Sequence, residues 1–536
     1  MGLGILEDKQ DPCPTGTTLL TGGGREHRPL AIGVVLAPHP SESPHDPLNW
    51  SRVRKEIAFL TIILGACGTG VIGPLLVPGF PIIAAAFQIT LTQVTLLNGS
   101  LVMALGVSSY LCSGVAKMIG KWLVFIITTL MLVGTSCWGA AAKSYTSLLA
   151  ARLGMGGWFA LAGTDSINDI YFVHQRGLRV GLWNFAVIVS VNVAPIISGY
   201  VITDLSWRWS FWILAIYFVF VLVWVILGFP ETTFSRPKSD DNIRRDSVAN
   251  GPRAGESGGT DLDTKADTKV EPAVEESKAQ TELGELQSSL SFRQSVLNIN
   301  GFKCQGISHI IPELVGPVLL LRHPGVVWAC AMWAVTFTWV IIQGAVASQI
   351  FAAPPYNLTP TAVGNLIGIA PLIGSALGTI TGGWACDALS KLLSARNKGI
   401  YEPEFRLLII LPFLILVAVG GFGLGVAISN GASVITCGVF LAILNYAVGI
   451  GCTGIVAYTN DACQHKAGGA FGIAMLIKSA FAFGLTFMLN DYYATHGPRI
   501  FFSTWAGLTV GVTLFTIPLY VYGKRIRAWA LRAGIV

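Results

Sequence analysis

Charge is what this sequence has least of. Only 12% of its 536 residues are Asp, Glu, Lys or Arg, and 52% are hydrophobic; an ordinary soluble protein carries about 25% charged residues. So few charges cannot cover a surface facing water, which excludes a soluble enzyme, a nucleic-acid-binding module and a disordered scaffold. A phosphate-binding loop is also missing: Gly120-Lys121 runs into Trp122 and lacks the leading glycine, so ATP-driven pumping by this chain is not expected. No His/Cys cluster has metal-ligand spacing and no catalytic triad signature occurs. Neither a cofactor, a metal nor an enzymatic activity is therefore expected. Six of the ten cysteines (Cys67, Cys112, Cys137, Cys330, Cys437, Cys452) fall inside apolar runs, where a buried small hydrophobe is a better reading than a disulfide. The first 56 residues are polar, without a cleavable-signal pattern.

What the chain has instead is long apolar runs. One helical crossing of a bilayer takes ~20 apolar residues, and twelve runs of that kind can be placed: 57–80, 94–114, 122–142, 146–169, 181–203, 211–229, 327–352, 361–384, 407–428, 434–457, 468–490 and 501–522. The high glycine content, 61 residues, suits membrane helices that approach one another closely. Thirty of the 35 Lys and Arg fall in the N-terminal segment, the even-numbered loops and the tail, against three in the odd-numbered loops. Cytoplasmic loops are the basic ones, so both termini are expected in the cytoplasm. The expected organisation is a cytoplasmic segment over 1–56, a six-helix bundle over 57–229, a central cytoplasmic loop over 230–325, a second six-helix bundle over 326–522 and a basic tail over 523–536. The stretch from Ser239 to Gln287 is polar, without apolar periodicity, and is expected to be disordered. Gly114 and Gly383 keep the same offset as the starts of spans one and seven, the mark of a duplicated six-helix unit. Two bundles rocking about a central site are typical of transporters.

Several motifs resemble those of the major facilitator superfamily, within it a fungal branch related to drug:proton antiporters. His45-Asp46-Pro47-Leu48-Asn49-Trp50-Ser51 with Arg54-Lys55 is similar to that branch's segment before the first helix. Ser113-Gly114-Val115-Ala116-Lys117-Met118-Ile119-Gly120-Lys121 resembles the superfamily's 2–3 loop motif, with Lys117 where the family usually has Asp. Gly383-Trp384-Ala385-Cys386-Asp387 is a better second copy, followed by Glu402-Pro403-Glu404-Phe405-Arg406-Leu407. The resemblance implies a gate at Lys117 and Gly120 in one half and at Asp387 and Arg406 in the other. Arg152, followed four residues later by Gly156, resembles the fourth-helix motif, which implies a role in proton coupling. Ala194-Pro195-Ile196-Ile197-Ser198-Gly199 looks like a weakened antiporter motif, implying a hinge at Pro195 and Gly199. The fold implied is all-α: twelve transmembrane helices in two six-helix bundles, working without cofactor or nucleic acid.

Intramembrane charges are few. Asp165 is placed within span four and Asp169 one turn further, at its cytoplasmic edge. Lys478 lies deep in span eleven, where a charge is costly and needs a reason; it suits an anionic or carbonyl-bearing ligand, or helix carbonyls. Asn98, Asn192, Gln343 and Asn445 are polar residues that could line a cavity, and Asn357-Leu358-Thr359 is a glycosylation acceptor sequence in an outer loop. The function expected is proton-coupled export of a small organic compound, a drug or fungal metabolite, by a monomer in the plasma membrane. The alternatives are proton-coupled uptake of a small amine or other nutrient, because related permeases share the Glu-Pro-Glu-x-Arg-Leu signature, and a non-transporting sensor.

Overall fold

The structure is a computed structural model that describes residues 4–6, 14, 16–19, 46–156, 166–167, 169–171, 173–232, 310–463 and 466–535. The long helices are α1 (Arg52–Ile72), α2 (Leu91–Ile119), α3 (Lys121–Ala141), α4 (Tyr145–Gly154), α5 (Val173–Asp204) and α6 (Trp207–Gly228), then α7 (Pro324–Ala352), α8 (Pro360–Arg396), α9 (Ile410–Ser429), α10 (Val434–Cys463), α11 (Ala467–Thr486), α12 (Leu489–Leu514) and α13 (Thr516–Arg532). Polar caps set where they start. Thr90 and Gln93 form a reciprocal capping box on α2, and Thr359 caps α8 with Pro360 in its first turn.

Eleven segments among the described residues are long and apolar enough to cross a membrane. They answer to every expected span except the fourth: α4 covers its first part, and residues 157–165, with Asp165, lie outside the described residues. Most of the expected central loop lies outside them as well. Span one, expected to run unbroken over 57–80, ends instead at Ile72. A 3₁₀ stretch (Pro74–Gly79) and a short helix (Phe80–Phe87) follow, because Pro74 and Pro78 offer no N–H to continue an α-ladder. The helix that carries the start of the twelfth span, α12, is kinked at Gly497 (φ 72°), just before Pro498 and ahead of that span.

Glycine decides how closely the helices cross. A Cβ built on Gly374 or Gly378 would lie 2.1 or 2.2 Å from the carbonyl oxygens of Ala442 and Tyr446, so α8 and α10 touch backbone to backbone. The two halves meet the same way. Gly99 and Gly106 of α2 lie against Thr486 and Ser479 of α11, and Gly199 of α5 lies against Pro360 and Gly364 of α8. The outward faces are apolar: on α6, Ile216, Phe220, Val223 and Leu227 are all exposed. A contiguous apolar rim of this kind is what lipid, not water, accepts.

The terminal segments come together at one end of the second half. A two-residue strand, β1 (Thr18–Leu19), pairs antiparallel with β2 (Ile400–Tyr401) between α8 and α9. The Leu6 N–H donates to the Val521 carbonyl at 3.0 Å.

Candidate functional site

Arg152 is fully buried. Its guanidinium donates to the carbonyls of Ile72 (2.7 Å) and Gly73 (3.2 Å) and to Asn98 Oδ1 (3.1 Å). Those carbonyls are the exposed negative end of α1, left without intrahelical donors where the helix stops. Placing an Arg inside a span costs ~2.5–3.5 kcal/mol, and three charge-assisted hydrogen bonds offset that cost. Arg152 thus ties α1, α2 and α4 together. Gly156 lets α2 come close, since its Cβ would sit 2.6 Å from that of Ala104.

Lys478 has a different environment. Its Nζ lies 4.0 Å from the centroid of Phe337 and 5.5 Å from that of Trp333. Among the described residues no hydrogen-bond acceptor or carboxylate pairs with it. Cation–π contact is worth about 0.5–2 kcal/mol, less than the ~2.5–3.5 kcal/mol cost of an intramembrane charge. Trp333, Phe337 and Lys478 are each half-buried.

The neutral polar candidates separate. Asn192 Nδ2 donates to Ser375 Oγ of α8 at 3.2 Å, across the seam between the halves. Gln343 Nε2 is buried without a hydrogen-bond partner among the described residues. Asn445 is 4% exposed and donates to the Leu441 carbonyl one turn back. Pro195 and Gly199 lie where α5 crosses α8: a Cβ on Gly364 would come within 2.4 Å of the Pro195 carbonyl oxygen. Toward the same end of the seam Thr203 and Thr361 share a hydrogen bond of 2.8 Å. Gln349 Nε2 donates to Asn490 Oδ1, whose amide donates to Thr95 Oγ1 at 2.7 Å. The halves are therefore fastened at the end away from the terminal segments.

At the opposite end each half carries an ion pair between neighbouring helices. In the first, Lys121 Nζ meets Asp169 Oδ2 at 2.6 Å. Gly120 (φ 89°) turns the chain there, and Glu231 caps α3 by accepting from the N–H groups of Lys121 (3.0 Å) and Trp122 (3.1 Å). Lys117 lies in the last turn of α2, with its side chain outside the described ones. In the second half Arg406 meets Asp461 at 2.6 Å and the more exposed Asp387 at 3.5 Å, with the Tyr401 hydroxyl bonded to both Arg406 and Asp461. Burial and the adjoining Asp461 carboxylate push the Tyr401 phenol above its ordinary range, so it remains protonated and can donate. Behind this cluster, Arg527 and Lys524 pair with Glu402 and Glu404 in full burial.

A family model, the Major Facilitator Superfamily, matches residues 58–486. The chain belongs to that superfamily. Among curated relatives of this transporter chain, an uncharacterized MFS-type transporter of Schizosaccharomyces pombe is 25% identical, the match covering 93% of this chain and 89% of the relative. Protein HOL1 of Saccharomyces cerevisiae is also 25% identical, over 93% and 91%. A probable efflux pump, mfs2, of Aspergillus flavus is 22% identical over 82% and 95%. Of solved structures, the xylose transporter XylE of E. coli in a partially occluded inward-open conformation superposes with a TM-score of 0.58 at 12% identity, over 87% of this chain and 98% of that one. That likeness establishes the fold of two helical bundles.

For this superfamily member the sequence motifs pointed at Lys117, Asp387 and Arg406, whereas Lys121, Asp461 and Tyr401 complete the ion pairs. Asp461 carried a usable signal: an acid at the end of span ten, as Asp169 is at the end of span four. Glu231 was legible as a helix stop but not as the cap of α3, because the two are distant in sequence. Asn357 is exposed in the α7–α8 loop, with Thr359 occupied as the α8 cap.

Proposed function

We propose that this chain is a secondary active transporter that exports a small organic compound in exchange for protons, as a monomer in the plasma membrane with both termini in the cytoplasm. The observation that carries the reading is the asymmetric seam. Hydrogen bonds and glycine contacts fasten the halves at the end away from the termini, while the half-buried Lys478 and its ring partners Trp333 and Phe337 lie midway along α11 and α7, where α11 meets α2 of the other half. Such an arrangement is one state of an alternating-access cycle, with its site open toward the terminal side. The pairs Arg406–Asp461–Asp387 and Lys121–Asp169 each brace one half at the open end in this state and are exchanged when that end closes. Pro195 and Gly199 supply the pivot at the α5–α8 crossing. Protons couple through the carboxylates Asp165, Asp169 and Asp461, and Arg152 holds the helices that carry the site. The relative named as a probable efflux pump supports the outward direction, and Asn357 is the glycan acceptor on the outer side.

The test is flux of candidate compounds in sealed vesicles with an imposed pH gradient, for the wild type and Arg152→Ala. Movement against the proton gradient, lost in the variant, is expected. Absent flux of every compound removes the transporter reading and leaves a sensor, whereas flux independent of the gradient removes the proton coupling. Accumulation in the same direction as protons replaces export by uptake.

A further inference from the structure

We propose that Lys478 is the anion-binding group of the ligand site at the seam, and that the transported compound is an amphipathic organic anion: a carboxylate or sulfonate on a flat, aromatic body. This rests on the transport reading above and adds to it the charge and shape of the ligand. Two neighbouring helices supply groups beside the Lys478 ammonium. From α7 come the ring faces of Trp333 and Phe337; from α10, the thiol Cys452. Its neighbour on α11, Ser479, lies against Gly106 of α2. Among the described residues none of these groups is an anion. A positive charge that meets ring faces and no anion among the described residues still lacks its counter-charge, and a ligand bearing one would complete it.

The walls suit a flat apolar body. Phe471 meets Trp333 edge-on with centroids 6.0 Å apart, and Tyr110, on α2 in the other half, packs with Trp333 against one buried cluster that includes Cys330, Ala470 and Ile473. The site therefore draws on both bundles, and rocking them apart would dismantle it, as release of a ligand requires. A polycation would meet repulsion here, and a neutral compound would leave the ammonium unpaired.

Equilibrium dialysis of the purified full-length protein with 2-naphthoate, 2-naphthalenesulfonate and the uncharged 2-naphthamide tests this. The wild type is expected to bind both anions at least 10-fold more tightly than the amide. Lys478→Met is expected to abolish that preference and Lys478→Arg to keep it, thermal unfolding reporting whether each variant is folded. The wild-type comparison stands without any variant. Equal binding of amide and anions, absence of saturable binding of either anion, or a preference surviving in folded Lys478→Met would each overturn the proposal. Dialysis needs no gradient, so anion preference without vesicle flux would sink the transport reading and spare the site. Flux without anion preference would do the reverse.

Discussion

Arg152 and Lys478 are both cations inside helices, and they meet the cost of desolvation in different ways. Arg152 spends its fork of donors on the end of α1 and on Asn98, so it acts first as a structural tie. Arg152→Ala should lower stability by roughly 1–3 kcal/mol for each acceptor left unpaired, with Arg152→Lys losing less; thermal unfolding of purified protein measures both. A fully stable Arg152→Ala variant would contradict the tie. The sequence made Arg152 conspicuous, because charge is scarce, but could not name its partners: two are backbone carbonyls, which leave no mark in composition, and the third, Asn98, lies 54 residues away. His323 was invisible for the opposite reason, an ordinary residue beside a span. It is completely buried and accepts from the Gly325 N–H, and burial, with the positive charge of Arg527, depresses its pKa from 6.5 to about 4. Because the folded form holds the proton less well than the unfolded one, its contribution to stability is complete above about pH 6.5 and declines as pH falls toward 4. His323→Asn, a cap that does not titrate, should flatten that part of a pH-dependent unfolding curve.

At the scale of helices, hydropathy located the spans because each long apolar run is bounded by caps and turn residues, as at Thr90 or Thr359-Pro360. It overran the end of α1 because the 3₁₀ stretch after Gly73 is as apolar as the helix before it; the break is a matter of missing N–H groups, not of polarity. The link between α2 and α3 is more demanding than its short loop suggests. Gly120 combines φ 89° and ψ 150°, a region open essentially to glycine, where another residue costs about 1–3 kcal/mol. A Cβ there would also lie 2.4 Å from Glu231 Oε2. Gly120→Ala should therefore destabilise by at least that amount and displace Glu231 from its cap, whereas Gly134→Ala, on an open face of α3, should be nearly neutral. Chemical unfolding of the two variants side by side would decide it.

For the whole molecule, alternating access requires the end of the seam beyond the α5–α8 pivot to open. Thr203 and Thr361 approach within 2.8 Å, close enough for a disulfide between cysteines placed there. In the double variant Thr203→Cys/Thr361→Cys, oxidation should stop flux and reduction restore it; undiminished flux with the bond formed would mean that this end never parts. The twofold division of the chain was readable from its spacing. The fastening of its ends was not, since Gln349, Asn490 and Thr95 are single polar residues far apart in sequence.

The pairing of β1 with β2 bears on how the protein is made. Thr17 donates to Glu402, 385 residues later, and at ~5–20 residues per second the ribosome needs about 20–80 seconds to supply that partner. Residues made early are thus seated among residues made hundreds of positions later, after most of the helices between them have been synthesised. A reporter fused ahead of residue 4 would be carried to the face formed by α13 and the α8–α9 connection, and would disturb the second half of the protein, not the first.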